Sequence, residues 1–336
     1  MTTPVISVCI ANYQGSEVIE RCLDSVLAQE CRVPFEVIVH DDASTDGSGD
    51  LVARDYPQVE VLRSDRNLGF CGSNNRLVDA ACGRFVLLLN NDTRLHPGSL
   101  QTLLDAAEGD PCTGVWSLPQ YAMDSGELLD RGMFMDWFAN PVPALQPAPE
   151  VATVMGSCLF LRRELWREIG GFPDWFGSLA EDMYLCNRVR LMGLKVRVTD
   201  GGGYDHVVGH SFGGGKVTDN RLSSSYRRRR LSELNKNRVI ATCFPAPLHL
   251  LVLLLQVPLL LTEAIAMSLA SRSLRPLREI YLPSITGIMT DLPRLQRDRQ
   301  RCMRARATSL RAFLRPMQIR HHKLTLLFRH GIPGLS

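Results

Sequence analysis

Cysteine patterns that bind zinc or build a disulfide scaffold are missing from the sequence. Its ten cysteines, from Cys9 to Cys302, are scattered singly, and no two of them form a CxxC pair. We therefore predict that most of them are buried, reduced thiols. A secretory signal is missing as well, since residues 1–10 have neither a basic segment nor a long apolar run. These absences favour a folded domain in a reducing, cytosolic compartment.

The motifs of several common nucleotide-binding and nucleic-acid-binding proteins are also missing. The sequence has no Walker lysine motif and no GxGxxG, which excludes the usual ATP and dinucleotide sites. It has no helix-turn-helix, RRM or KH pattern, so we expect no nucleic-acid partner. Its composition is 45% hydrophobic and 22% charged, which excludes wholesale disorder. The length of 336 residues is enough for about two domains.

The charges are unevenly distributed along the chain, although the net charge is only +3. Residues 1–215 carry a net charge of −13, whereas residues 216–336 carry +16. An acidic part suits a metal ion or a cationic transition state, and a basic part suits a phosphate-rich surface such as anionic lipid. The two parts of the chain are therefore expected to have different partners.

Hydrophobic periodicity in the acidic part predicts alternating strands and helices. Short β-branched runs at residues 5–10 and 36–39 indicate buried strands, and the apolar spacing of residues 17–29 indicates a helix between them. A βαβ unit of this kind implies a parallel sheet. The alternation continues to a strand at residues 84–89 and resumes after an irregular stretch at residues 119–149.

Polar residues follow the predicted strands, at the sheet edge where open α/β sheets bind their ligands. They are Asn12, Asp41, Asp42, Asn90, Asn91 and Asp92. Carboxylates such as Asp41 and Asp42 accept hydrogen bonds from a nucleobase or a ribose, although Asp is also an ordinary turn residue. Asp92 offers the hard oxygen ligand that a divalent cation prefers, or else it caps the following helix.

Two glycine-rich loops and one acidic pair supply further candidates. The loop RNLGFCGSNN begins with Arg66, which suits a phosphate, and leads into a helix N-terminus that favours anions. The loop DHVVGHSFGGG contains His206 and His210, which suit a metal, a phosphate or a structural role. Glu181 and Asp182 begin another predicted helix, where carboxylates either carry out acid–base chemistry or compensate the helix dipole.

Joined in chain order, these segments resemble glycosyltransferase family 2. The segments are SVCIANYQG, DDASTDG, NLGFCGSNN, NNDT, GSCLFLRRE, GGF with AED, and HVVGHS. The resemblance covers residues 4–215 and is greatest to rhamnosyltransferase-like members that act on cell-wall or surface polysaccharides. It implies the GT-A fold, a Rossmann-like, mostly parallel α/β sheet flanked by helices, and a nucleotide-diphosphate sugar as donor.

The resemblance also implies a role for each matching residue. The implied nucleotide-sugar-binding residues are Ala11, Asn12, Asp41, Asp42, Arg66, Asn67, Gly69, Asn90 and Asn91. Asp92 and His206 are the implied ligands of a divalent cation, Mg²⁺ or Mn²⁺, and Asn90 departs from the first Asp of the DxD motif. Asp182 is the implied general base, with Glu181 beside it.

The basic part of the chain contains a long apolar run with arginines on both sides. Residues 239–270 hold one charged residue, Glu263, and Arg227 to Arg230 precede them. This pattern predicts association with an anionic membrane surface. Three prolines interrupt the run: Pro245, Pro247 and Pro258. A broken transmembrane helix, a re-entrant hairpin, two interfacial helices and a buried hairpin of a soluble domain therefore all stay open.

The sequence thus predicts a GT-A catalytic domain at residues 1–225 and a helical, membrane-associating region at residues 226–336. The expected reaction is the inverting transfer of a sugar, with rhamnose as a candidate, to a lipid-linked or polysaccharide acceptor. The expected location is the cytoplasmic face of the cell membrane. A nucleotidyltransferase and a non-catalytic, membrane-bound scaffold are the alternatives. The first of these usually has a basic, glycine-rich loop after its first strand, and Ala11 to Gly15 contains no basic residue.

Overall fold

The computed structural model describes residues 3–207, 214–218, 221–331 and 334–335. Two compact units make up the chain. The first unit consists of Met1–Met133, Pro143–Val189 and Leu194–Val207, and the second consists of Phe134–Val142, Arg190–Gly193 and Val208–Ser336. Two short segments of the N-terminal part thus belong to the second unit, in addition to the C-terminal helices.

Short strands and helices alternate through the first unit, and all of its strands have fewer than eight residues. The strands are β1 (Ile6–Asn12), β2 (Phe35–Asp41), β3 (Glu60–Arg63), β4 (Phe85–Asn90), β5 (Thr93–Leu95), β6 (Thr113–Ser117), β7 (Gln120–Ala122), β8 (Leu128–Asp130), β9 (Met133–Asp136), β10 (Pro141–Pro143), β11 (Cys158–Arg162), β12 (Lys195–Val198) and β13 (Tyr204–His206). β9 and β10 each run across a boundary between the units. The helices are α1 (Ile19–Leu27), α2 (Ser48–Asp55), α3 (Gly69–Ala80), α4 (Ser99–Gly109), α5 (Arg163–Ile169) and α6 (Glu181–Leu191).

A seven-stranded sheet forms the centre of the first unit, in the order β12-β6-β11-β4-β1-β2-β3. The strand β11 runs antiparallel to both of its neighbours, β4 and β6, while β1 pairs in parallel with β2 and β4. A smaller sheet has the order β5-β13-β7-β8. The α/β architecture with a mainly parallel central sheet is therefore as the sequence predicts.

The core of this unit lies between the central sheet and its helices. In α1 the buried side chains are Ile19, Cys22, Leu23 and Val26, whose spacing places them on one helix face. They pack with aliphatic side chains of β1, β2 and β4 in one cluster. Each fully buried aliphatic side chain contributes about 1.5–3 kcal/mol, so this face is what fixes α1 to the sheet.

The register of the parallel strands brings their polar carboxyl ends together. Asn12 pairs with Asp41 across β1 and β2, and Ala11 pairs with Asn90 across β1 and β4. The irregular stretch predicted at residues 119–149 contains the short strands β7 to β10. The sequence therefore located the sheet edge that carries the candidate residues, but it missed these short strands.

Helices dominate the second unit. They are α7 (Tyr226–Cys243), α8 (Leu248–Ser271), a π-helical turn (Leu277–Tyr281), α9 (Leu282–Thr290), α10 (Leu292–Arg304), α11 (Leu310–Leu314) and α12 (His322–His330). The strands are β14 (Gly214–Thr218), β15 (Arg221–Ser224), β16 (Met317–Gln318) and β17 (Gly334–Leu335). The Ser225 hydroxyl caps α7 by accepting a hydrogen bond from the Arg228 backbone N–H at 3.2 Å.

The apolar run forms a single continuous helix, α8, of 24 residues. The chain leaves the helical conformation between Cys243 and Leu248, where two of the prolines lie, but α8 continues through Pro258. This excludes a hairpin within α8. By length and composition α8 is long and apolar enough to cross a membrane, which holds for none of the other helices in the described part of the chain.

Candidate active site

Asn12 and Asp41 occupy the adjacent carboxyl ends of β1 and β2, and both are buried. The Asn12 side-chain amide donates to the Ser48 hydroxyl at 2.8 Å, which joins the strand end to the start of α2. The Asp41 carboxylate accepts a long hydrogen bond, 3.3 Å, from the Ser44 backbone N–H. Asp41 therefore retains accepting capacity for a ligand at this edge.

The carboxylate of Asp42 organises the loop that precedes α3. Its two oxygens accept hydrogen bonds from the backbone N–H groups of Leu68 and Gly69, at 2.7 and 2.9 Å. Gly69 has a φ of +75°, a conformation that favours glycine, and it also donates to the Asn67 side chain at 3.1 Å. Arg66 and Asn67 are exposed at the start of this loop. Asp42 thus places the candidate phosphate-binding loop beside the end of β2.

The turn after β4 carries the three residues that correspond to the DxD position. The Asn91 side-chain amide donates to Asn12 Oδ1 at 2.8 Å, so the ends of β1 and β4 are joined directly. The Asn90 side-chain oxygen is buried and accepts no hydrogen bond within the described part of the chain. Ala11, which also belongs to this edge, lies beside Asn90 in the sheet.

Asp92 and His206 meet across the sheet edge. Asp92 Oδ1 is buried and lies 3.2 Å from His206 Nε2, because β13 pairs with β5 directly after the turn. The same oxygen accepts no hydrogen bond from the described residues. Oxygen and imidazole nitrogen are ligands that divalent cations accept in proteins. A buried acceptor without a donor, next to a second ligand, fits such a cation.

The pair supplies two ligands, and the described residues contain no group of three or more His, Cys, Asp or Glu side chains arranged for a metal. A cation held by Asp92 and His206 would therefore take its remaining ligands from water or from phosphate oxygens of a substrate, as is usual for magnesium. His210, the other histidine of the same loop, lies outside the described residues.

A buried hydrogen-bond chain orients the His206 ring, and the sequence alone did not reveal it. Ser157 and Tyr204 share a hydrogen bond of 2.8 Å between their hydroxyls, and the Tyr204 hydroxyl donates to Gln120 Oε1 at 2.8 Å. Gln120 Nε2 in turn lies 3.1 Å from His206 Nδ1. Burial raises the pKa of Tyr204 well above its ordinary value, so Tyr204 keeps its proton. The chain directs Nε2 of His206 towards Asp92.

Asp182, the candidate base, is half-buried at the start of α6. Its carboxylate accepts hydrogen bonds from the backbone N–H groups of Met183 and Gly156, at 2.6 and 3.0 Å. Burial raises its pKa above the ordinary value of 3.8. Glu181, the residue before it, is buried. A carboxylate with a raised pKa is a stronger base than an exposed one.

The backbone before α6 adopts a strained conformation. Leu179 and Ala180 have φ values of +72° and +66°, although neither is glycine. Such residues cost about 1–3 kcal/mol each and are concentrated at functional sites. The loop is held to α3 by a hydrogen bond of 3.1 Å from the Cys71 N–H to the Gly177 carbonyl. The two strained residues therefore lie in a loop that is held in place directly before Asp182.

One dipeptide, Gly156-Ser157, connects the candidate base to the strand-end residues. The Gly156 N–H donates to the Asp182 carboxylate at 3.0 Å. The Ser157 carbonyl accepts from the Asn90 N–H at 3.0 Å, and the Ser157 hydroxyl begins the chain that reaches His206. The candidate base Asp182, the turn at Asn90 and the candidate metal ligand His206 therefore belong to one hydrogen-bonded network within the first unit.

The central sheet, with polar residues at its strand ends and an acid at the start of α6, has the GT-A type of fold. A solved structure with this fold, "Mannosyltransferase PcManGT from Pyrobaculum calidifontis in complex with GDP-Man and Mn2+", is similar with a TM-score of 0.53 and 20% identity. The similarity covers 91% of this chain and 86% of that one. At this identity the comparison shows the fold alone.

The resemblance to glycosyltransferase family 2 is confirmed by a family model, since "Glycosyl transferase family 2" matches residues 7–170 of this chain. Among curated relatives, "N-acetylglucosaminyl-diphospho-decaprenol L-rhamnosyltransferase" of Mycobacterium tuberculosis is 29% identical over 219 residues, which cover 56% of this chain and 71% of that protein. "Uncharacterized protein MT1568" of the same species is 40% identical over 118 residues, covering 35% of this chain and 36% of that protein. The chain thus matches only about a third of that second relative.

Proposed function

We propose that this protein is an inverting glycosyltransferase that moves a sugar from a nucleoside diphosphate to a lipid-linked acceptor or a polysaccharide. The network through Gly156-Ser157 carries the proposal, because it brings a basic carboxylate, Asp182, together with the Asp92–His206 pair. Rhamnose is the first sugar to test, since a relative with 29% identity is named a rhamnosyltransferase.

In the proposed reaction a single displacement occurs at the anomeric carbon of the donor sugar. The acceptor hydroxyl attacks this carbon, and the Asp182 carboxylate takes the hydroxyl proton. The bond between the sugar and the diphosphate breaks, so that the nucleoside diphosphate leaves with the electron pair. Attack on the face opposite the leaving group inverts the configuration. No covalent enzyme intermediate is needed.

Asp92 and His206 are the residues that would hold a divalent cation, Mg²⁺ or Mn²⁺. The similar mannosyltransferase was solved in complex with Mn²⁺, which supports a metal in this fold. When bound, such a cation neutralises charge on the departing diphosphate. Arg66 is exposed at the start of the loop before α3, where its guanidinium suits a donor phosphate. Asp41 and Asn12 suit the nucleoside.

The proposal assigns catalysis to residues 1–225 and membrane association to residues 226–336. It locates the protein at the cytoplasmic face of the cell membrane. Exposed leucines of α8 support it, since Leu254 and Leu269 are 73% and 74% exposed. The net charge of +16 over residues 216–336 suits anionic lipid. A lipid-linked acceptor would reach an enzyme held at the same surface.

Selective stabilisation by one donor nucleotide is the expected result of a thermal-shift screen. The purified protein would be heated with dTDP, UDP, GDP and CMP sugars, each with and without Mn²⁺. A ligand at a hundred times its dissociation constant stabilises the folded state by about 2.7 kcal/mol. We expect one nucleotide to raise Tm and Mn²⁺ to increase that shift. Asp92→Asn is expected to remove only the part that depends on Mn²⁺.

The absence of a shift with every nucleotide would contradict the proposal and favour the non-catalytic scaffold. For a nucleotide that raises Tm, analysis of the reaction product then determines the stereochemistry of sugar transfer. Transfer with inverted anomeric configuration supports the single displacement, whereas retained configuration excludes it. Slow donor hydrolysis without an acceptor would also argue against a scaffold.

Gly15→Ala is expected to weaken donor binding about tenfold, the effect of losing one good hydrogen bond. A Cβ atom on Gly15 would overlap both Asn12 Oδ1 and Asn91 Nδ2, which are hydrogen-bonded to each other. The substitution therefore has to displace the side-chain amides of Asn12 and Asn91 and break the hydrogen bond between them. Calorimetric titration of the nucleotide identified above measures the change.

Gly109→Ala is the matched control for this substitution. A Cβ atom on Gly109 meets nothing within 4 Å, and this glycine ends α4 away from the strand-end residues. We expect wild-type donor affinity in the control. Equal affinity in Gly15→Ala and Gly109→Ala would show that the Asn12–Asn91 contact has no part in binding the donor.

A further inference from the structure

A pocket of 370 Å³ opens in the second unit at the start of α7, outside the site described above. It is lined by Ser225, Tyr226, Arg227, Arg230, Arg275 and Glu279. We propose that this pocket binds the diphosphate of a lipid-linked acceptor. The inference rests on the proposed function, in that it gives the acceptor a second contact with the enzyme. Its volume lies within the range of about 300–1,000 Å³ typical of small-ligand pockets.

The lining charges suit a diphosphate. Three arginines and one glutamate give the pocket a net charge of +2. Arg275 donates to Glu279 at 2.7 Å, whereas Arg230 is exposed and has no carboxylate partner among the described residues. Guanidinium groups bind phosphates through paired N–H donors. The N-terminal end of α7 adds partial positive charge at the same place.

Tyr226 connects the pocket to α8. Its ring lies 4.2 Å from the Arg275 guanidinium, which stacks over it. The same ring packs against the buried cluster that contains Leu260, Ala264 and Met267 of α8. Tyr226, which stacks against Arg275 in the pocket, is therefore also in contact with α8.

Apolar side chains are exposed on the segment of chain just before Arg275, one of the three pocket arginines. Ile265, Leu269 and Leu274 are 60%, 74% and 55% exposed, and Leu274 directly precedes Arg275. These three side chains offer a surface for hydrocarbon, and the arginines offer a site for phosphate. A ligand that carries a diphosphate at the end of a lipid chain matches both features, whereas a free nucleotide matches only the charge.

The experiment measures binding of the full-length protein to three kinds of vesicle by co-sedimentation. The vesicles contain phosphatidylcholine alone, phosphatidylcholine with phosphatidylglycerol, or phosphatidylcholine with decaprenyl diphosphate at the same surface charge. The pocket variant is Arg227→Gln with Arg230→Gln. The control is Arg301→Gln with Arg304→Gln, which removes the same charge from two exposed arginines of α10 outside the pocket. Far-UV circular dichroism checks that each variant is folded.

We expect the pocket variant to bind the decaprenyl diphosphate vesicles at least about tenfold more weakly than the charge-matched control does, as the loss of charge-assisted hydrogen bonds to phosphate predicts. Binding to phosphatidylglycerol vesicles is expected to fall no further than in the control. An equal fall for both anionic vesicles would overturn the acceptor assignment and make a phospholipid headgroup the ligand. Equal binding by the pocket variant and the control would overturn the pocket itself.

The donor thermal shift separates this proposal from the proposed function. The pocket and the donor site lie in different units, so the pocket variant is expected to keep the wild-type shift with the donor nucleotide. A wild-type protein that shows no donor shift but binds decaprenyl diphosphate through these arginines would contradict the glycosyltransfer proposal and leave the pocket intact. The reverse result would contradict the pocket alone.

Discussion

Asp182→Asn is expected to lower kcat for sugar transfer by about 100- to 10,000-fold, the usual contribution of a positioned general base. The amide cannot accept the proton of the acceptor hydroxyl, and Asp182 is the carboxylate that the Gly156 N–H and the start of α6 hold in place. Donor affinity is expected to stay near wild type, because Asp182 is assigned to the acceptor. Steady-state kinetics together with nucleotide titration measure both quantities.

The pH profile of the wild-type enzyme gives an independent check of the same assignment. Burial raises the pKa of Asp182 above its ordinary value of 3.8, and only the ionised carboxylate accepts a proton. We therefore expect kcat/KM to rise with pH through a value above that of an exposed aspartate. Asp182→Asn is expected to lack this rise.

Glu168→Gln serves as the control, since Glu168 is exposed on α5. This substitution is expected to leave both kcat and the pH profile unchanged. Thermal unfolding of both variants separates a loss of chemistry from a loss of fold. If Asp182→Asn transfers sugar at the wild-type rate, Asp182 is not the base.

Glu233→Gln is expected to lower the free energy of unfolding by about 3–5 kcal/mol, the cost of removing one partner from a buried ion pair. Glu233 is 1% exposed within α7. Its carboxylate lies 3.1 Å from Lys236 Nζ, 2.8 Å from Lys323 Nζ and 3.5 Å from Arg229 Nε. The substitution leaves three cations without this carboxylate. Urea unfolding followed by far-UV circular dichroism measures the loss.

The loss is expected to depend on pH in a defined direction. Although burial by itself raises the pKa of Glu233, the cations Lys236, Lys323 and Arg229 lower it below the ordinary value of 4.5. A carboxyl whose pKa is lower in the folded state stabilises the protein above its unfolded pKa and loses that effect as the pH falls. The difference between wild type and Glu233→Gln should therefore shrink below pH 4.5.

Burial also lowers the pKa of Lys236 to about 8, so this comparison is best made near neutral pH, where Lys236 is charged. Glu279→Gln provides the control, because Glu279 pairs with Arg275 at an exposed position where ion pairs contribute little. Equal stability of Glu233→Gln and Glu279→Gln would show that the cluster around Glu233 does not hold α7 in place.

The sequence predicted the strand-end residues well because each strand is a short apolar run that stops at a polar side chain. Asn12, Asp41 and Asn90 stand at the ends of β1, β2 and β4, as expected. The helix α3 begins at Gly69, inside the segment RNLGFCGSNN that was predicted to be a loop, since the Asp42 carboxylate accepts hydrogen bonds from the backbone N–H groups of Leu68 and Gly69. That contact joins distant parts of the chain, which local periodicity does not report.

The chain from Ser157 through Tyr204 and Gln120 to His206 was not predicted, because it depends on β13 pairing with both β5 and β7. Polar side chains in short strands have no periodic signal of their own. The positive φ values of Leu179 and Ala180 likewise result from tertiary structure. Charged residues are seldom fully buried. The sequence therefore did not predict that Glu233, Lys236 and Lys323 form a buried ion-pair cluster.

Glu263 makes α8 different from an interchangeable hydrophobic anchor. It is the one acidic residue of α8 and is paired with Lys323 at 2.9 Å and with Arg229. A membrane anchor transplanted from another protein would restore attachment to the bilayer but would leave both of these cations without their carboxylate. An exchange of this anchor that keeps both ion pairs therefore has to include α7 and α12 together with α8.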